Sequence, residues 1–124
     1  MDDTICRALA SGLTCDITTI GRRSGQPRRI EIWYFCIENQ VYITGTPGPR
    51  DWYANLLVQP RFIFHVKEGA HADLTARAAP ITEAAMRRCI MSEVMRQNSW
   101  FAAGDLEAWI AASPLVAVEF EPAA

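Results

Sequence analysis

The sequence predicts a mainly β, α+β fold, a mostly antiparallel barrel or curled sheet of about six strands with packed helices. Three observations lead there. Short segments of alternating or β-branched residues recur along the chain. The turns between sequence neighbours are too tight for parallel crossovers. Helical periodicity interrupts the strands at only a few places. At 124 residues, with 50% hydrophobic and 21% charged residues, the chain suffices for one core, and it is read as a single domain, residues 1–124.

Residues 3 to 11 are read as a short helix, and Thr14 to Ile20, rich in Thr and Ile, as the first strand. The turn S-G-Q-P follows. Arg28 to Ile37 alternates Ile30, Ile32, Tyr34 and Cys36 against Glu31, Trp33, Phe35 and Ile37, which predicts a strand buried on most of both sides. Glu38-Asn39 turns the chain into Gln40 to Thr46, and Pro47, Gly48 and Pro49 then force a loop. Asp51 is read as the N-cap of a two-turn helix carrying Trp52, Tyr53, Leu56 and Leu57 and ending before Pro60. Arg61 to Lys67 and Ala72 to Ala79 form the next hairpin. Thr82 and Glu83 open an amphipathic helix running to about Gln97. Leu106, Trp109 and Ile110 mark a second short one, and Leu115 to Glu121 closes the chain as a strand. Trp33, Phe35, Phe62 and Phe64 are expected in the core, His65 as a satisfied sheet histidine, and Met86, Met91 and Met95 against the barrel.

Charge narrows the function. The net charge is −2, yet Arg22 to Arg29 holds four arginines and no acid. A basic island on an acidic chain points to one localised anionic ligand; a nucleic-acid binder would be basic over a whole face. Arginine's planar fork suits phosphate and carboxylate groups. Cys6, Cys15, Cys36 and Cys89 have no C-x-x-C spacing, and His65 and His71 are the only histidines, so no metal site is expected. No apolar run reaches the roughly eighteen residues of a membrane helix, and the opening MDDTICRALASGL carries acids where a signal peptide is basic; stable membrane insertion is not expected and the cytoplasm is. Neither histidine sits in a triad motif, so hydrolase chemistry has no support.

Two segments can carry chemistry. In G-R-R-S-G-Q-P-R-R, Gly21 to Arg29, glycines on both sides of R-R-S let the amides of Arg23 to Gln26 turn inward as an anion-binding concavity, with Arg22, Arg23 and one of Arg28 and Arg29, which point oppositely along a strand, supplying charge. A solvated hairpin turn is the competing reading. In T-P-G-P-R-D-W-Y-A-N-L, Thr46 to Leu56, a rigid loop delivers a helix start and two aromatics that can wall a planar heterocycle, although the same spacing serves simple core packing.

Together the two motifs, with x-x-x-P and a strand after the second and D-L-T-A-R at Asp73 to Arg77, resemble the deazaflavin-dependent nitroreductase and quinone reductase family of actinobacteria and relatives, over about Thr14 to Pro122. The resemblance implies a split β-barrel, similar to the flavin-reductase and pyridoxamine phosphate oxidase-like barrels, that holds the deazaflavin coenzyme F420. It implies that Thr18, Arg22, Arg23, Ser24, Gly25, Gln26, Pro27 and Arg28 lie at the coenzyme, the arginine-rich loop gripping its phosphodiester and polyglutamate tail. It likewise places Thr44, Gly45, Thr46, Arg50, Asp51, Trp52, Tyr53, Ala54 and Asn55 around the deazaflavin ring. The implied reaction is hydride transfer from the reduced coenzyme to a planar acceptor, a quinone, nitroaromatic or activated enone. The tyrosines that related enzymes carry on the C-terminal helical segment are missing here. Trp100 and Phe101 stand in that region, and with Ser99 and Ser113 they are the candidate substrate pocket. Flavin mononucleotide (FMN) or haem in the same barrel, and a non-catalytic carrier of a fatty acid or other apolar ligand, are the alternatives. Apolar residues on both sides of Arg28 to Ile37 also allow a homodimer.

Overall fold

The computed structural model describes residues 1–102 and 104–122, apart from the side chains of Ser99 and Ala102. Its elements run α1 (Asp3–Ser11), β1 (Thr14–Ile20), β2 (Pro27–Ile37), β3 (Gln40–Thr44), α2 (Asp51–Val58), β4 (Arg61–Val66), β5 (Ala72–Pro80), α3 (Ala84–Gln97), α4 (Ser99–Ala102), α5 (Leu106–Ala112) and β6 (Leu115–Phe120). The six strands close an antiparallel barrel in the order β1-β2-β3-β6-β5-β4, with β4 returning to pair with β1. Closure gives every strand of the described barrel two partner strands, so no strand is left as a terminal edge.

Strand alternation sorts the side chains into two cores. Inward-facing Cys15, Ile17, Tyr34, Ile43, Phe64, Ala76 and Val116 fill the barrel, and Trp52 and Leu56 of α2 pack onto it. Outward-facing Phe35 and Leu115 meet Met91, Val94, Phe101 and Trp109 from α3, α4 and α5 in a second core outside the wall. Phe101 is its hub, edge-to-face with Phe35, Trp100 and Trp109 at centroid distances of 5.3, 4.9 and 4.9 Å. The β2–β3 turn is the two-residue kind that right-twisted hairpins favour, Glu38 and Asn39 both having positive φ (50° and 66°).

Glu68 and Tyr34 fasten α1 to the barrel. The Glu68 carboxylate accepts from the Leu13 and Thr14 amides and the Thr14 hydroxyl, and Tyr34 donates to the Leu9 carbonyl at 2.9 Å. On the outer wall, the neighbouring strands β1, β4 and β5 line up Thr18, His65 and Asp73, with 2.7 Å contacts at both ring nitrogens of His65. His65 is thus the satisfied sheet histidine that the sequence suggested.

The structure departs from the sequence reading in three places. β2 is exposed along its first half, with Ile30 and Trp33 each more than a third accessible, where burial on both sides was expected. The reason is register: β2 pairs with β1 over Pro27–Trp33, but with β3 only from Tyr34 to Ile37, so its first half overhangs. Trp33 is accordingly no core residue. Asp51 is the first residue of α2 rather than its cap; Arg50 holds the cap position and makes no side-chain cap bond. Met86 points outward at 49% exposure, whereas Met91 and Met95 are buried.

Candidate functional site

The β2 overhang faces the loop after β3 and the start of α2, and two adjoining clefts lie between them. The first, of about 480 Å³, is lined chiefly by Thr19, Gly21, Arg22, Arg23, Ser24, Arg28, Asp51 and Asn55. The second, of about 630 Å³, is lined by Glu31, Ile32, Trp33, Thr44, Gly45, Thr46, Arg50, Trp100 and Phe101. Ile30 and Trp52 line both, so one elongated ligand can lie across them.

The arginine cleft is built on the turn between β1 and β2. The turn is closed by the Gly21 amide donating to the Gln26 carbonyl and the Gly25 amide to the Gly21 carbonyl, each at 2.8 Å. Gly25 has φ 69°, the left-handed region that glycine enters without strain. A Cβ on Gly21 would come within 2.5 Å of the Ser24 hydroxyl oxygen, so a larger residue there would displace that side chain from the turn. These bonds occupy the Gly25 amide, and the Ser24 hydroxyl accepts from the Gln26 amide. The inward concavity is therefore smaller than the sequence suggested: only the Arg23 and Ser24 amides stay outside the turn's own hydrogen bonds. Thr19 and Arg28 are register partners, so Arg28 shares the face of β1 and β2 that carries the cleft.

The four arginines divide. Arg29 pairs with Asp16 on the outer wall, as strand alternation from Arg28 requires. Arg22 is held by two residues through three contacts: its amide and Nη1 both donate to Asn55 Oδ1 at 3.0 Å, and Nη2 lies 3.3 Å from Asp51. Asn55 is 4% exposed, and its Nδ2 donates to the Thr19 hydroxyl at 3.2 Å. Among the described residues, no carboxylate pairs with Arg23 or Arg28. These two exposed guanidinium groups carry the cleft's free positive charge.

The second cleft is apolar and aromatic. Trp52, 7% exposed, forms the wall at the junction. Arg50 turns back into its own loop, donating to the carbonyls of Thr46, Gly48 and Pro49 and to the Thr46 hydroxyl, while the Gly48 amide donates to Ala112 of α5. The Thr44 hydroxyl donates to the Pro114 carbonyl at 2.6 Å. The loop Thr44–Arg50 is thereby fixed before any ligand arrives, as a precise site requires.

Several sequence candidates fall elsewhere. Thr18 points to the outer wall and meets His65; its neighbour Thr19 lines the cleft instead. Gly25, Gln26 and Pro27 form the exposed turn and its exit, outside the residues lining either cleft. Tyr53 faces a separate groove of about 540 Å³ that also contains Ser113, and Ala54 lines none of the three. Ser113 is therefore separated from Trp100 and Phe101, which do line the aromatic cleft. The Ser99 side chain lies outside the described residues. Sequence reasoning missed Thr19, Ile30, Glu31, Ile32 and Trp33 as lining residues. Arg28, Ile30 and Ile32 share one side of β2, so the period-two rule applied from Arg28 finds two of them. Trp33, on the other side of β2, lines the cleft beside Phe101, their rings edge-to-face at 5.8 Å. Asp73, in the D-L-T-A-R segment, serves the outer wall; hydrogen bonding to His65 holds its carboxyl below the usual range.

A closed six-stranded antiparallel barrel with an arginine-lined cleft beside an aromatic one defines a split barrel, and solved structures agree on the fold. The chain is similar to a putative pyridoxamine 5′-phosphate oxidase of Listeria innocua (TM-score 0.72, 10% identity, 97% of this chain and 93% of that one). It is also similar to an FAD-binding protein of Mesorhizobium loti (TM-score 0.68, 16% identity, 98% and 91%). A third similar structure is an F420 reductase (TM-score 0.62, 16% identity, 94% and 92%). None of the curated proteins matches the sequence. The profile of the F420H(2)-dependent quinone reductase family matches residues 3–104, and the chain belongs to that family. It is therefore an F420-dependent oxidoreductase.

Proposed function

We propose that the chain, acting as one domain over residues 1–124, binds reduced F420 across the two clefts and reduces a quinone held against the aromatic wall. Nitroaromatics and activated enones are further acceptors of the same planar shape. The observation that carries this reading is the junction: two carboxylate-free arginines, Arg23 and Arg28, open through Trp52 and Ile30 into an aromatic cleft. The residues fit the coenzyme. A phosphodiester and acidic tail match the arginine cleft, and a flat ring matches the space between Trp52, Ile30 and the rigid loop Thr44–Arg50. A carrier of a neutral apolar ligand would leave Arg23 and Arg28 with nothing to bind.

When bound, the reduced coenzyme supplies a hydride. The chain's own residues set the geometry and the surroundings. Arg23 and Arg28 hold the anionic end, the loop and Trp52 fix the height of the ring site, and Trp33, Trp100 and Phe101 give the acceptor an apolar wall that excludes water. Among the described residues, neither tyrosine nor histidine lines the aromatic cleft. The four cysteines are free thiols, in keeping with the cytoplasm. No helix among the described residues is long and apolar enough to cross a membrane.

Fluorescence titration with F420, run beside FMN, tests the binding half of the proposal. Micromolar binding of F420 in preference to FMN, weakened in the Arg23→Gln/Arg28→Gln variant, is the expected result. Tighter FMN binding would replace the proposal with a flavoprotein.

A further inference from the structure

We infer that Asn55 is a positioning residue, which holds Arg22 as a brace inside the β1–β2 turn and leaves Arg23 and Arg28 as the pair that grips the anion. This rests on the anion cleft of the proposed function, but not on the identity of the coenzyme. The sequence offers Arg22, Arg23 and Arg28 as equals; the geometry does not.

Asn55 is buried and all but one of its hydrogen-bonding positions are in use. Oδ1 accepts twice from Arg22, once from the amide and once from the guanidinium, and Nδ2 donates to Thr19, itself 2% exposed. One side chain of α2 thereby ties together the end of β1, the start of the turn and the helix. An amide that is already bonded in this way has little left to offer a ligand. Arg22 is similarly committed, since Asn55 fixes its direction and the largely exposed Asp51 carboxylate, 3.3 Å away, offsets its charge. Arg23 and Arg28 flank this braced point with no acidic partner among the described residues. A brace of this kind lowers the entropy cost of placing two flexible guanidinium groups around one anion.

The test is a double-mutant cycle on the full chain, read by titration with F420 and separately with inorganic pyrophosphate at low and moderate salt. Arg23→Gln and Arg28→Gln each lose about tenfold in affinity, as expected for a charged hydrogen bond, and flatten the salt dependence. Arg22→Gln and Asn55→Ala also weaken binding, but each keeps the salt dependence of the parent chain. Their effects do not add in the double variant, whereas those of Asn55→Ala and Arg28→Gln do. Thr19→Val loses the hydroxyl that anchors Asn55 and weakens binding without changing the salt dependence, which gives a second route should Asn55→Ala fail to fold.

The inference is overturned if Arg22→Gln flattens the salt dependence as much as Arg28→Gln does, or if the Asn55 and Arg22 effects simply add. Pyrophosphate binding with the expected pattern, but no F420 binding, would sink the proposed coenzyme and leave this division of labour standing. Binding of neither anion would remove both.

Discussion

At the scale of single residues, the proposed function rests on which polar groups remain uncommitted. Asp16 accepts from Arg29 and Lys67, Glu68 from β1 and the α1–β1 junction, and Asn55 from Arg22, while Arg23 and Arg28 face the cleft without an acid. Sequence can supply the four arginines but not this sorting, because their partners lie about thirty or more residues away at Asp51 and Asn55 for Arg22, and across a strand for Arg29. Phe101 poses the opposite case. It was a candidate for substrate contact and is also the hub of the outer core at 4% exposure. Phe101→Ala is expected to cost about 3–5 kcal/mol in chemical denaturation, the usual effect of emptying such a site. Trp100→Ala, at a residue 65% exposed, should leave the midpoint nearly unchanged while raising KM for a quinone.

At the scale of elements, most of the strands and helices were legible because their periods are clean. The β4–β5 hairpin and the amphipathic α3 fall where alternation and 3.6-residue spacing put them. What could not be read was how far β2 outruns β3. Local pattern shows that Ile30, Ile32 and Trp33 belong to a strand, but their exposure depends on where a partner strand stops. That overhang creates both clefts, so the site's floor was hidden while its arginine rim and its Trp52 wall were visible. The turn between β2 and β3 gives a test at this scale. Glu38 and Asn39 both occupy the left-handed region, which costs an ordinary side chain about 1–2 kcal/mol per residue. Replacing the pair by Asn-Gly should raise the thermal midpoint without altering coenzyme affinity, since the turn lines neither cleft.

At the scale of the whole molecule, closure of the barrel governs stability and its dependence on pH. Hydrogen bonds hold the Glu68 and Asp16 carboxyls below their ordinary values, Glu68 through the Thr14 and Leu13 amides and Asp16 through Lys67 and Arg29. A depressed folded-state value means the stabilisation is fully present above the unfolded value, near 4.5 for Glu68, and is lost as pH falls through the folded one. Acid titration of the melting midpoint should therefore show a decline below about pH 4.5 that is shallower in Glu68→Gln than in the parent chain. Thiol labelling reads the same closure. Cys6 and Cys89 are exposed, while burial inside the barrel pushes the Cys15 thiol up to about 12. Cys6 and Cys89 should react with a thiol reagent at once, and Cys15 only when the barrel opens.

The central claim joins the two clefts in one act of hydride transfer, and it is tested most directly by following the oxidation of reduced F420 after a soluble quinone is added to the purified chain. The account predicts reoxidation that requires the chain, and its loss in the Arg23→Gln/Arg28→Gln variant while the melting midpoint stays in place. Reoxidation no faster than in buffer, from a chain shown by titration to be saturated with the coenzyme, would contradict it.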